Sequence, residues 1–286
     1  MGTVERLERI YRYEQSCEFL PHRLKSLALS LPDKQKERVE ELRLRVMHPL
    51  TVLTGEGELN AAPDGIASLV KAEDLEQMLG AVTEYSRYAC IETLRQGFLP
   101  LRGGFRLGVC GSAVVREGEV NNLKDISSLA LRIVCEHIGL GSDIAPRLFD
   151  ENGRFMSTLL LSPPGGGKTT LLRECVRRLS DQGLRISLMD ERGEIAAVQN
   201  RTPQFDVGAN TDIMTGGQKA ACCMMLLRAM RPDVLAFDEI SAPEDIEAIR
   251  IAAGCGVALL ATAHAQSVAA LRHRALYRAL LDARSR

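Results

Sequence analysis

A parallel α/β class is predicted for the C-terminal half of this chain, and three observations predict it. Short apolar runs at residues 158–161, 185–189, 234–237 and 257–261 alternate with helix-length segments, the pattern of strands whose two faces are both covered by helices. The first run feeds directly into three consecutive glycines and a lysine. The third ends on two adjacent carboxylates, Asp238 and Glu239.

In chain order, the N-terminal portion mixes helices and short strands. Residues 71–85 place Leu75, Met78, Leu79 and Val82 at helical spacing, an apolar face with a charged back. Residues 97–101 and 106–110 flank Gly103-Gly104 and read as a β-hairpin. The stretch 143–154 is short, polar and glycine-containing, so the expected boundary divides the chain into domains 1–152 and 153–286. Residues 267–286, rich in Ala, Leu and Arg, read as a terminal helix.

The run at 158–161 is followed by Ser162-Pro163-Pro164-Gly165-Gly166-Gly167-Lys168-Thr169-Thr170 and then by an amphipathic segment at 171–179. Nucleotide phosphates carry dense negative charge, and successive main-chain N–H groups curl around them only where no Cβ intervenes. Gly165, Gly166 and Gly167 supply that bend, with Pro164 and Thr170 in the same binding loop. The helix beginning near Lys168 directs its positive dipole end to the same place. Lys168 is expected to reach the outer phosphates and the Thr169 hydroxyl to bind Mg²⁺. Ser162 stands where the G-x-x-x-x-G-K-[ST] spacing has its first glycine. The fold class is α/β: a P-loop NTPase (RecA-like) parallel-sheet core with a smaller N-terminal α+β domain.

A binding loop needs a second carboxylate for the metal and a group that orients water before it can hydrolyse anything. Asp238, at the end of a buried strand, is expected to hold the metal shell, and Glu239 beside it to act as general base. Thr262 and His264 follow the last apolar run and are expected to touch the γ-phosphate. Asp190 and Glu191, in Asp190-Glu191-Arg192-Gly193-Glu194, open onto the same edge. Arg102, Arg106, Arg228 and Arg231 are candidates for offsetting charge on the transferred phosphoryl group.

Composition excludes several classes. The chain has 286 residues, a net charge of −1 and 4% aromatic residues, which argues against a nucleic-acid-coating surface or a base-stacking platform. No apolar stretch reaches the roughly 18 to 20 residues that cross a bilayer. The N-terminus carries no apolar signal core, and Arg6 stands where a myristoylation signal has Ser or Thr, so a cytoplasmic location without membrane insertion is expected. Eight cysteines without a C-x-x-C pair read as small buried side chains in a reducing compartment.

The tracts SPPGGGKTTLLRE, MDERGEIA, DVGANTDIMTGGQKAACCMMLLRAMRPDVLAFDEI and ATAHA, in that order, resemble the stage III sporulation protein AA family, a branch of the secretion ATPases. The resemblance extends to Glu41-Leu42-Arg43-Leu44-Arg45, Pro49-Leu50, QGFLPLRGGFRLGVCGSAV and Ser127-Ser128-Leu129 before Arg132-Ile133. It implies a cytoplasmic Mg²⁺-dependent ATPase, a ring hexamer docked on membrane-embedded components of a secretion-like complex in the mother cell of an endospore-forming bacterium. By the same resemblance the N-terminal domain is regulatory, and Lys168 and Thr169 are the Walker A residues. Asp238 and Glu239 become the Walker B pair, Asp190 and Glu191 the Asp box, His264 the His box, and Arg102 and Arg106 the N-domain arginines. Asn210 and Phe105 depart from the family pattern.

Two other readings stay open at this level. Thr215-Gly216-Gly217-Gln218-Lys219 resembles an ABC signature, but only a short gap separates it from Lys168 and over a hundred residues precede the loop. The Ser162 departure leaves room for an ATP-binding assembly scaffold with negligible turnover.

Overall fold

Val39–Arg45 alternates apolar and charged residues, and the alternation is realised: Leu42 and Leu44 are wholly buried while Arg43 and Arg45 remain partly exposed. In the computed structural model, which describes residues 3–61, 69–83, 97–116, 118–134, 136, 139–141, 143–163 and 166–282, the chain divides into two units, Met1–Cys135 and Glu136–Arg286. No described helix is long and apolar enough to cross a membrane.

In the first unit, β1 (Val39–Arg45), β2 (Thr51–Thr54), β3 (Gly57–Asn60), β4 (Phe98–Pro100), β5 (Arg106–Arg116) and β6 (Glu119–Arg132) form one antiparallel sheet in the order β3-β2-β1-β6-β5-β4. The expected hairpin is β4–β5, with Gly103 and Gly104 both at φ +76° in its turn. Helices α1 (Thr3–Cys17), α2 (His22–Leu29), α3 (Asp33–Lys36) and α4 (Ala72–Val82) accompany the sheet. Tyr13, Cys17, Leu24 and Met78 join Leu42, Leu107, Leu129 and Leu131 in one core. The Tyr13 hydroxyl donates to the Ala28 carbonyl at 2.8 Å, which satisfies the one polar atom of the largest buried side chain. The expected helix at 71–85 is seen as α4, and Tyr85 lies outside the described residues.

The second unit is built on β7 (Thr158–Ser162), β8 (Ile186–Asp190), β9 (Thr211–Thr215), β10 (Val234–Phe237) and β11 (Ala258–His264), all parallel, in the order β7-β11-β10-β8-β9. Every residue of β8 and β10 is buried, which is why they read as continuous apolar runs. Successive residues serve opposite faces. Leu235, Phe237, Ala261 and Ala263 pack in one core with α6 (Lys219–Met230) and α7 (Pro243–Gly254). Ile186, Leu188, Val234 and Ala236 pack in the other with α5 (Lys168–Asp181). In α5, Leu172, Cys175, Val176 and Leu179 recur at i, i+3, i+4 and i+7 and are all buried. Leu148 contributes to this same core.

Three expectations are corrected. The sheet has a strand beyond the four apolar runs, β9, because Thr211–Thr215 is a half-exposed edge strand rather than an apolar run. The single terminal helix is two, α8 (Val268–Arg272) and α9 (Ala275–Asp282): the Ser267 hydroxyl caps α8, and burial of Tyr277, whose hydroxyl donates to Ile240 O at 2.6 Å, turns the chain before α9. Cys17, Cys175 and Cys223 are buried, and burial pushes their thiols up to about 12, 11 and 12. Cys110 and Cys255, however, are exposed. Cys90 and Cys135 lie outside the described residues.

Candidate functional site

The last strand in the sequence, β11, inserts between β7 and β10, with His264 in register with Ser162 and Ala261 with Phe237. The carboxyl ends of β7, β11, β10 and β8 therefore lie side by side, and each delivers polar groups to one edge, where ligands of open parallel sheets bind.

From β7 comes the glycine loop. Pro164 and Gly165 lie outside the described residues. Gly166 has no room for a side chain, since a Cβ there would fall 2.5 Å from Ser162 Oγ and 3.1 Å from the Pro163 carbonyl. Gly167 caps α5 in the left-handed region, φ +75°, a conformation that costs a non-glycine residue about 1–2 kcal/mol. The Lys168 ammonium folds back over the loop, donating to Ser162 O at 3.1 Å and Pro163 O at 2.9 Å. Its third contact is Ser162 Oγ at 3.4 Å. Thr170 sits half-buried in the first turn of α5.

Thr169 and Asp238 meet across the sheet, with Thr169 Oγ1 donating to Asp238 Oδ2 at 3.1 Å. The other carboxylate oxygen accepts from Thr262 Oγ1 at 2.7 Å. Thr262, expected to touch a phosphate, is wholly buried and holds Asp238 instead. Glu239 Oε2 lies 3.2 Å from His264 Nε2, and His264 Nδ1 is buried without a hydrogen-bond partner among the described residues.

Asp190 and Glu191 diverge. Asp190 is 1% exposed, and its two oxygens accept four main-chain N–H groups, those of Glu194, Ile195, Ala196 and Ala197, at 2.8–3.2 Å. That carboxylate folds the 190–197 loop. Arg173 supports the same loop from α5, donating to Ile195 O and Glu194 O at 2.6 Å and lying 3.9 Å over the Phe205 ring. Glu191 is exposed and faces the Lys219 ammonium at 3.5 Å. A shallow open cleft is lined by Asp190, Glu191, Lys219, Asp238, Glu239 and Ser241.

The candidate arginines lie on elements other than these. Arg102 and Arg106 belong to the first unit, where their guanidinium groups lie 5.6 Å over Phe19 and 3.7 Å over Phe98. Arg228 and Arg231 are exposed at the C-terminal end of α6. They precede β10, whereas Asp238 follows it. Asn210 donates through its side chain to Ser180 O at 3.1 Å and takes no part in the edge. Thr215–Lys219, the tract resembling an ABC signature, is the β9–α6 turn.

A parallel sheet with a glycine loop after β7 and an acidic pair after β10, in a chain that also carries a smaller antiparallel unit, defines a P-loop NTPase fold. Its solved relatives include the ATPase DotB of Legionella pneumophila, 16% identical with a TM-score of 0.52 over 83% of this chain and 64% of that one. The pilus retraction motor PilT, solved with bound ADP, is 18% identical with a TM-score of 0.52 over 85% of this chain and 66% of that one. The chain thus spans just under two thirds of either motor, and the likeness is one of fold. Sequence narrows the class further. This chain belongs to the sporulation stage III, protein AA family, whose model matches residues 11–285. Stage III sporulation protein AA of Bacillus subtilis is 32% identical over 275 residues, 94% of this chain and 87% of that protein.

Proposed function

We propose that the second unit binds ATP with Mg²⁺ and hydrolyses it, and that the chain works as a ring ATPase, a homohexamer, powering or assembling a secretion-like complex during endospore formation. The observation that carries the reading is the convergence of Thr169, Asp238, Glu239 and His264 on the carboxyl edge that begins with the glycine loop. The donor set fits the metal: a hydroxyl and a carboxylate oxygen 3.1 Å apart are hard oxygen ligands of the kind Mg²⁺ takes together with phosphates and water. The loop fits a phosphate, because it turns back on itself so tightly at Gly166 that a Cβ would meet Ser162 and Pro163, and glycines in such a turn leave successive main-chain N–H groups free to face an anion.

In this reading Thr169 and Asp238 hold Mg²⁺, which when bound supplies positive charge to the phosphate oxygens. Lys168 exchanges the two main-chain carbonyls it now holds for phosphate oxygens. Gly165, Gly166, Gly167 and the amides that open α5 cradle the phosphates, with Pro164 and Thr170 flanking them. Glu239 accepts the proton of the attacking water at a carboxylate oxygen, and His264 fixes the orientation of that carboxylate. Glu191 borders the cleft, and Arg102 or Arg106 offsets phosphoryl charge from the first unit. Work done on membrane-embedded components in the mother cell cytoplasm accords with the family and with the absence of a membrane-crossing helix among the described residues.

Phosphate release tests the reading. Wild type should release phosphate from Mg·ATP, and Lys168→Ala should bind no nucleotide. Glu239→Gln should bind ATP normally while turning it over on the order of 10²–10⁴-fold more slowly. Turnover by Glu239→Gln at the wild-type rate would remove the base from the mechanism. Native mass measurement with an ATP analogue should give a six-subunit ring.

A further inference from the structure

Lys219 is a lysine with almost no access to water. It is 7% exposed at the first position of α6, and its ammonium faces four oxygens from two separate segments, 239–245 and the loop that follows β8. It donates to the Glu239 main-chain carbonyl at 2.7 Å, to Asp245 Oδ2 at 3.1 Å and to Ser241 Oγ at 3.2 Å. Glu191 Oε2 lies 3.5 Å away on the cleft side. An ammonium has three protons to give, and here each has a near acceptor.

Its partner Asp245 is 3% exposed and does a second job. The same Oδ2 accepts the main-chain N–H groups of Ser241 and Ala242 at 2.9 and 3.0 Å, closing the turn into α7. The segment 239–242 is therefore gripped from both ends, its carbonyl by Lys219 and its amides by Asp245. The N–H of the same peptide, that of Ile240, donates to the Thr262 carbonyl at 3.0 Å, and Tyr277 holds the next carbonyl, that of Ile240, at 2.6 Å, which leaves Lys219 as the donor to the Glu239 carbonyl. A neutral side chain at position 219 would leave the Asp245 charge buried and the Glu239 carbonyl without its donor.

We infer that Lys219 is a positioning residue: its ammonium holds the Glu239 main chain against Asp245, and so aims the Glu239 carboxylate at its water, while its contact with Glu191 ties the 190–197 loop to the same point. The inference rests on Glu239 being the base of an ATPase, as proposed above. All four oxygens around the ammonium lie outside the glycine loop, so removal of Lys219 acts on turnover and leaves nucleotide binding alone. A buried lysine needed only for folding would lower melting temperature without separating these two quantities.

The experiment uses the full-length chain with Mg·ATP, measuring affinity for a fluorescent ATP analogue, single-turnover phosphate release and thermal melting. Lys219→Met should hold nucleotide within about twofold of wild type and release phosphate at least 30-fold more slowly. In the Glu239→Gln background the same substitution should slow residual turnover no further, because both act on one step. Should Lys219→Met unfold, Lys219→Met with Asp245→Asn removes both charges while an amide oxygen still caps the turn, and that chain should show the same split. Lys219→Arg, a planar fork in place of a compact ammonium, should recover only part of the rate. Release within twofold of wild type in a folded Lys219→Met chain, or a parallel loss of binding and turnover, overturns the assignment. If wild type itself releases no more phosphate than Lys168→Ala, the hydrolysis reading fails and this one with it. If wild type turns over and Lys219→Met matches it, only the role of Lys219 falls.

Discussion

Thr169 Oγ1 and Asp238 Oδ2 are hydrogen-bonded at 3.1 Å although 69 residues separate them in the chain. The contact follows from strand order. Thr169 lies in the first turn of α5 after β7, Asp238 directly follows β10, and β11 between the two strands leaves a gap that a threonine and an aspartate span. Thr262, on that intervening strand, takes the other Asp238 oxygen at 2.7 Å, so the carboxylate is oriented from both sides.

Thr262→Val keeps the shape of the side chain and removes its hydroxyl. Asp238 loses the donor to Oδ1, and groups that orient a metal ligand in this way contribute roughly 10–100-fold to metal affinity. A Mg²⁺ titration of ATP-analogue binding should shift its midpoint upward by that factor, with metal-free binding unchanged. An unshifted midpoint would mean that Thr169 alone orients the carboxylate.

Gly166→Ala should weaken nucleotide binding. Its Cβ would fall 2.5 Å from Ser162 Oγ and 3.1 Å from Pro163 O, and overpacking of this kind costs about 1–3 kcal/mol. Adding Ser162→Gly removes the closer contact and leaves the carbonyl, so the double variant should recover binding in part. Equilibrium titration reads both results, and wild-type affinity in the single variant would contradict the geometry.

Glu58 offers a pH-dependent test in the first unit. Hydrogen bonds from Arg45, and then from Thr51, lower its carboxyl from 4.5 to about 2. A depressed folded value means stabilisation that is complete above pH 4.5 and lost as pH falls toward 2. Glu58→Gln should therefore melt at a lower temperature than wild type at pH 7, by a modest margin because the pair is partly exposed. The two melting curves should converge on acidification through that window. A difference that persists unchanged at pH 3 would place the effect in packing rather than charge.

Residues in one continuous segment are legible from the sequence. The glycine loop, the helix after it and the run ending in Asp238-Glu239 announce themselves because residue type and spacing alone state their chemistry. β9 escapes notice because its residues are half-exposed or exposed and form no apolar run. Lys219 escapes because a lysine at the start of a helix reads as solvated, and only the fold shows two segments closing over it. Asp190 has the right strand and edge, but nothing in its neighbours foretells four amides turning back onto its carboxylate.

What the chain's own order of residues determined was the class: parallel strands, covering helices and a glycine loop between the first strand and its helix, all properties that operate within a few residues of one another. Tertiary structure decided which groups meet. The placement of β11 between β7 and β10 sent Thr262 to Asp238 and His264 to Glu239, and no periodicity encodes which strand neighbours which. Side-chain period tells a residue which face it occupies; only the packed sheet tells it whom it faces there.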